Sequence, residues 1–334
     1  MRELSIAKDP SGTIKILSID GGGIRGIIPA IILDALQQQI GAELHTVFDL
    51  ISGTSTGGII ALGIGTACKG AAPYTPAELL NLYVNNGEAI FHKRAFECVR
   101  ELLGPKYSPA ALETCLTKFF GATKFSSALT PLLISSYDLQ SQLPFFFKSH
   151  KIAQNSSYDW NVTDIARSTS AAPTYFPPNH LTRGTDDYAL VDGGVYVNNP
   201  AMAAFAEACH IYGQAPKYLV VSVGTGNVQD HITYKQSKGW GLFGWAKQIV
   251  PVLMDSVSEA VDYELECLRD CRYVRLQPEN LTPASGAMDD VSHANIKALQ
   301  DVAHAFVAKN AALLNKIAAQ LKPGRGATLS GIGN

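Results

Sequence analysis

Two successive strand–turn–helix units constrain this chain more than any other feature of its sequence. An apolar run at residues 14–19 stops at Asp20, breaks into Gly21-Gly22-Gly23, and passes through Ile24-Arg25-Gly26 into a helix-compatible run at 27–40. The order then repeats. A second apolar run at 47–51 leads into Gly53-Thr54-Ser55-Thr56-Gly57 and the helix-compatible residues 58–62. Pro29 stands in the first turn of the first helix, where a missing N–H costs little. Strands that hand over to helices twice running predict a parallel sheet with helices packed on its faces.

The remaining pattern extends this α/β reading. Pro76 and Pro109 each open a helix, the second running to about Phe120. Strands are predicted at 131–137, 145–148, 188–191 and 218–223, and another near 273–276. Long helical segments are predicted at about 250–270 and 289–321. No internal repeat or low-complexity linker divides the chain, so residues 12–322 read as one domain. The Gly-rich segment 323–334 reads as a flexible tail. A composition of 46% hydrophobic and 17% charged residues suits a soluble globular protein. The formal charge of −2, with no basic run, argues against a nucleic-acid partner.

Six cysteines (Cys68, Cys98, Cys115, Cys209, Cys267 and Cys271) form no C-x-x-C pair. They read as reduced, mostly buried thiols, with Cys267 and Cys271 one helical turn apart. No metal site is expected. The N-terminal residues lack the apolar core of a secretory signal, which leads to an expected location in the cytoplasm or at the periphery of a membrane, export by another route left open. The longest uncharged stretch, residues 50–68, has the length of a membrane span, but it is rich in Gly, Ser and Thr and contains the second turn.

That second turn is a G-x-S-x-G pattern between a strand and a helix, the setting in which a serine hydroxyl is lifted onto a sharp, exposed elbow. Ser55 is then either a nucleophile or part of an ordinary turn. The first glycine cluster also has two readings. Gly21, Gly23 and Gly26 satisfy G-x-G-x-x-G, a dinucleotide fingerprint. Against it, Asp20 would stand beside a pyrophosphate, and no acidic residue closes the second strand. Alternatively, the unobstructed N–H groups before a helix suit an oxyanion forming on a carbonyl attacked by a nearby serine. Arg25 would steady this loop or attract an anionic headgroup.

A serine nucleophile needs a base. In the chain order serine–acid–histidine, His293 or His304 would have to serve, yet both fall in a helical pattern without a glycine-flanked loop. Asp192 ends the apolar run before Gly193-Gly194, where a sheet offers a side chain to its functional edge. Burial would raise its proton affinity enough for it to act as a base.

Taken together, Asp20 to Gly26, the Ser55 elbow and Asp192-Gly193-Gly194, in this order, resemble the three signature blocks of the patatin-like phospholipases. Residues 168–178 (STSAAPTYFPP) and 222–226 (SVGTG) resemble further blocks of the family. Met288-Asp289-Asp290 with Ala294-Asn295 resembles a segment of the plant storage-tissue proteins, so the likeness covers about residues 12–310. It implies a three-layer α/β/α fold with a central, mostly parallel sheet. It further implies a Ser55–Asp192 dyad, with an oxyanion hole built from the backbone of Gly21, Gly22, Gly23 and Ile24. Arg25, Gly26, Gly53, Gly57, Gly193 and Gly194 belong to the supporting motifs. Gly194 stands where the plant proteins often carry alanine, and Asn198-Asn199-Pro200 is closer to the bacterial and animal branches.

The implied activity is lipid acyl ester hydrolysis of phospholipase A or lysophospholipase type, through an acyl-enzyme and without cofactor or metal. The expected partner is membrane or micellar lipid, contacted peripherally. The rival readings are a dinucleotide-dependent oxidoreductase and a non-enzymatic storage protein. Trp240, Leu242, Phe243 and Trp245, set among glycines, either dip into a lipid surface or pack in the core.

Overall fold

Side chains of β1 (Thr13–Ile19) alternate between two hydrophobic cores, and this decides the layering of the molecule. Leu17 and Ile19 face one core, Ile14 and Ile16 the other. A strand buried on both faces belongs to a sheet covered by helices on each side. The computed structural model describes residues 12–70, 72–91, 104–213, 217–228 and 232–322. The tail predicted at 323–334 lies outside them.

After β1 come α1 (Ile27–Ile40), α2 (Leu44–Val47), β2 (Leu50–Gly53), α3 (Thr56–Gly65), α4 (Pro76–Ile90) and α5 (Ala110–Phe120). The middle of the chain supplies β3 (Leu132–Asp138), β4 (Leu143–Lys148), α6 (Val162–Thr169), β5 (Asn179–Arg183) and β6 (Asp186–Asp192). Then follow α7 (Gly194–Val197), α8 (Ala201–Tyr212), β7 (Lys217–Val223), α9 (Tyr234–Ser237), α10 (Leu242–Glu266), β8 (Cys271–Leu276), α11 (His293–Lys309) and α12 (Ala311–Leu321). The larger core joins one sheet face to α1, α3, α4, α5, α6, α11 and α12. The smaller core joins the other face to α8 and α10. This is the expected three-layer α/β/α arrangement.

β1 pairs in parallel with β2 and β7, β2 with β3, and β7 with β8, so the sheet is mostly parallel. The antiparallel part places the site. β4 runs along one edge of β3 from Leu133 to Asp138. The opposite edge of β3 is divided. Its first half pairs with β2, ending at Gly53↔Ile134, and its second half with β6, ending at Ser136↔Asp192. The ends of β2 and β6 therefore meet head-on, two residues or roughly 7 Å apart along β3. Whatever follows Gly53 is brought against Asp192.

Several boundaries differ from the sequence expectations. The strand expected at 47–51 begins only at Leu50, because residues 44–47 close a helical turn in which Phe48 N–H reaches Leu44 O. Asp49 then pairs with Lys15, its carboxylate accepting the Lys15 N–H at 2.7 Å. The helix expected at 289–321 is two helices, broken at Asn310, whose side chain donates to Phe306 O. α10 starts earlier than expected and stops at Glu266, so Cys267 caps a helix whereas Cys271 opens β8. These two cysteines do not share a helical turn. No described helix is long and apolar enough to cross a membrane, and residues 50–68 are occupied by β2, the elbow and buried α3.

Candidate active site

Ser55 has φ 55° and ψ −123°, a left-handed backbone for a residue with a side chain. Such a conformation costs about 1–3 kcal/mol and persists only where the surroundings enforce it. They do so here. Ser55 N–H donates to Thr169 Oγ1 at 2.9 Å, and Thr54 Oγ1 donates to Val197 O and bonds Ser135 Oγ, both at 2.7 Å. Thr54 N–H reaches Ile19 O at 3.2 Å, tying the elbow to the end of β1. The turn must also pass close beneath β1, since a Cβ on Gly57 would stand 2.2 Å from Ile19 O. Glycine is required there. Ser55 caps α3, whose N-terminal field favours negative charge on the serine oxygen.

Asp192 is 1% exposed. Its N–H donates to Ala171 O, and its Oδ1 accepts the Gly194 N–H at 2.7 Å. Oδ2 is buried with no partner of full hydrogen-bond geometry. Burial raises the Asp192 pKa to about 7, against the opposing pull of the Ser55 hydroxyl and the Gly194 N–H. A carboxylate with one satisfied oxygen, one idle oxygen and a near-neutral pKa is equipped to take a proton from its neighbour.

The glycine loop is fixed from three sides. Thr225 Oγ1 donates to Gly21 O at 2.9 Å, Gly21 N–H donates to Asn198 O, and Ile24 N–H donates to Met288 O. The residues flagged at 222–226 and 288 thus converge on one loop. Gly23 has φ 58°, and a Cβ there would strike Met288 O at 2.3 Å, so both backbone and space demand glycine. These bonds narrow the expected donor set. The N–H groups of Gly21 and Ile24 are committed, whereas those of Gly22 and Gly23 have no acceptor among the described residues. Arg25 is buried, with its guanidinium directed at Gly22 O and Gly226 O at 3.4 and 3.3 Å. It steadies the loop and is not presented to solvent.

Ser55 and Asp192 lie at one end of an apolar cavity between α3, α4 and α5. Its walls include Ile59, Leu82, Ile90, Leu112, Leu116 and Phe176. Cys115 also lines it, but burial pushes its thiol up to about 11, which leaves it un-ionised at neutral pH. No described histidine lines the cavity. His293 and His304 are exposed on α11, and neither lines the cavity. Among the described residues no cluster of three or more His, Cys, Asp or Glu is arranged to hold a metal ion.

Sequence reasoning missed Arg275, Asp262 and Tyr273, which stand behind the loop. Asp20, 2% exposed, pairs with Arg275 at 2.5 Å, and Arg275 also donates to Ser222 Oγ at 2.8 Å and pairs with Asp262. Asp262 accepts from Asn199 at 2.9 Å and from the Tyr273 hydroxyl. No spacing rule announces a pair 255 residues apart.

Comparison with known proteins bears on the same segments. The sequence model of a family described as patatin-like phospholipase matches residues 17–205. Patatin-like protein 2 of Arabidopsis thaliana is 32% identical, over 90% of this chain and 84% of its own length. Patatin-17 of Solanum cardiophyllum is 34% identical, over 89% of this chain and 84% of its own. A crystal structure of VipD from Legionella pneumophila aligns with 90% of this chain and 67% of its own at 13% identity and a TM-score of 0.38, too distant to bear on the site.

Proposed function

We propose that this chain, which belongs to the patatin-like phospholipase family, cleaves acyl esters of phospholipids or related glycerolipids through Ser55 and Asp192. As a family member it is a carboxylic ester hydrolase acting on lipid acyl groups; the dyad and the phospholipase A type of cleavage are our reading of the site. One observation carries that reading. Among the described residues, the carboxyl that meets Ser55 in a largely apolar cavity is Asp192, buried and with its pKa raised to about 7.

The chemistry follows from the geometry. Ser55 Oγ attacks the acyl carbonyl while its proton passes to Asp192 Oδ2, the oxygen without a partner. The N–H groups of Gly22 and Gly23 face the oxyanion of the tetrahedral intermediate, where each donor contributes about 3 kcal/mol. Collapse breaks the bond to the alcohol, which leaves with the proton from Asp192 as a lysolipid. Water then gives a proton to Asp192 and attacks the acyl-Ser55 carbonyl, and the fatty acid departs as Ser55 regains its hydrogen. The acyl chain occupies the cavity between α3, α4 and α5. The substrate is presented by a membrane or micelle, touched from one side.

The test is release of free fatty acid from phosphatidylcholine vesicles, followed by mass spectrometry for wild type and Ser55→Ala. The reading requires release by the wild type and none above background by the variant. Equal release by both would remove Ser55 from the mechanism.

A further inference from the structure

α10 presents two faces of opposite use. Met254 is buried, lines the catalytic cavity beside Ser55 and Asp192, and stands against Gly194, where a Cβ would meet its Cε at 2.6 Å. The neighbouring face carries Trp245, Ile249 and Leu253 at helical spacings of four. They are 44, 39 and 46% exposed. Trp245 is braced edge-on by Trp240, ring centroids 5.4 Å apart. Just upstream, Ile232 is 40% and Tyr234 82% exposed. A large exposed apolar surface of this kind marks a contact site.

Charge identifies what it contacts. Residues 232–254 contain Lys235, Lys238 and Lys247 and no Asp or Glu. The following residues of the same helix, 255–266, contain five acids: Asp255, Glu259, Asp262, Glu264 and Glu266. In a chain with a net charge of −2, this segregation makes the part of α10 before Met254, with the segment leading into it, cationic and aromatic-rich in sequence. Aromatic and aliphatic side chains flanked by lysines suit the headgroup–acyl boundary of an anionic membrane.

We infer that residues 232–254, with Trp245, Ile249 and Leu253 of α10 at their centre, form the surface by which the enzyme docks on anionic lipid. The inference rests on the lipid acyl hydrolase reading and adds to it the place and charge preference of membrane contact. Docking through this face places the helix that contributes Met254 to the lining of the Ser55 cavity against the membrane.

The experiment uses the full chain with Ser55→Ala, so that the vesicles survive, in co-sedimentation with phosphatidylcholine vesicles and with vesicles enriched in phosphatidylglycerol. The parent binds the anionic vesicles more tightly. Trp245→Ala/Leu253→Ala weakens binding at least tenfold, and Lys235→Glu/Lys238→Glu weakens it on the anionic vesicles by about fivefold per lysine. In the Ser55 background, both pairs of substitutions leave turnover of a soluble short-chain ester within twofold, which reports an intact fold and site. Vesicle binding unchanged by both pairs overturns the inference, as does a parent that binds neither vesicle. So does a change only in oligomeric state, which would make a second copy the occupant. Vesicle binding that maps to this face in a protein cleaving no ester would instead leave the docking surface standing and remove the catalytic reading.

Discussion

Arg275 donates to Asp20 at 2.5 Å, joining β8 to the turn that carries the oxyanion loop, with both groups withdrawn from solvent. Burial raises the Asp20 pKa even though Arg275 pulls it down. The pair therefore matters more for where it holds the loop than for net stability.

Removing one member should show this. Arg275→Met leaves Asp20 buried and unpaired, and should cost about 3–5 kcal/mol in urea unfolding at neutral pH. The loss should shrink at low pH, where an unpaired Asp20 takes up a proton. Asp20→Asn/Arg275→Met should recover a substantial part of it. A double variant no more stable than the single one would show that Arg275 acts through Ser222 and Asp262 instead.

Asp192 links activity and stability in opposite senses. Its pKa rises from 3.8 to about 7 on folding, so the folded state binds the extra proton. Stability is lost as pH climbs from about 4 to 7, and the loss is complete above that. Asp192→Asn cannot titrate. It should match the wild type near pH 4 and exceed it by on the order of 4 kcal/mol at pH 8, while turnover falls about 10³-fold. Thermal unfolding across this range, with no divergence between the two proteins, would mean that the carboxyl is ordinary.

The same group sets the pH profile. With Asp192 as base, kcat/KM for a soluble ester should rise with pH through a midpoint near 7 and owe nothing to histidine. His293→Ala and His304→Ala should each retain the profile and most of the rate, since both side chains are exposed on α11. A lost midpoint in either variant would restore a histidine to the mechanism.

Leu116 tests the cavity. It is 1% exposed and lines the cavity from α5. Leu116→Phe adds bulk to a tight wall and should lower the rate on long-chain esters at least tenfold relative to a butyrate ester. Equal effects on both chain lengths would place the acyl chain elsewhere.

What could be read beforehand follows from how local each signal is. α1 occurs at the predicted residues, because a strand stop, three glycines and an apolar helix fall within one window. The Ser55 elbow and the Asp192 turn were visible as glycine-framed polar residues after apolar runs. Their meeting was not, because it depends on β3 sharing one edge between β2 and β6. The run at 47–51 does not reveal where its strand begins, since a short buried helical turn and a strand have the same apolar content. The commitment of the Gly21 and Ile24 N–H groups to Asn198 and Met288 is a tertiary fact with no local trace.

The central claim is that Ser55 is a nucleophile activated by Asp192. Its most direct measurement is labelling with a fluorophosphonate, followed by peptide mass spectrometry of wild type, Ser55→Ala and Asp192→Asn. One phosphonate is expected on Ser55 in the wild type, none in Ser55→Ala, and strongly slowed labelling in Asp192→Asn. An unlabelled wild type, or Ser55 labelled as fast without Asp192, would contradict it.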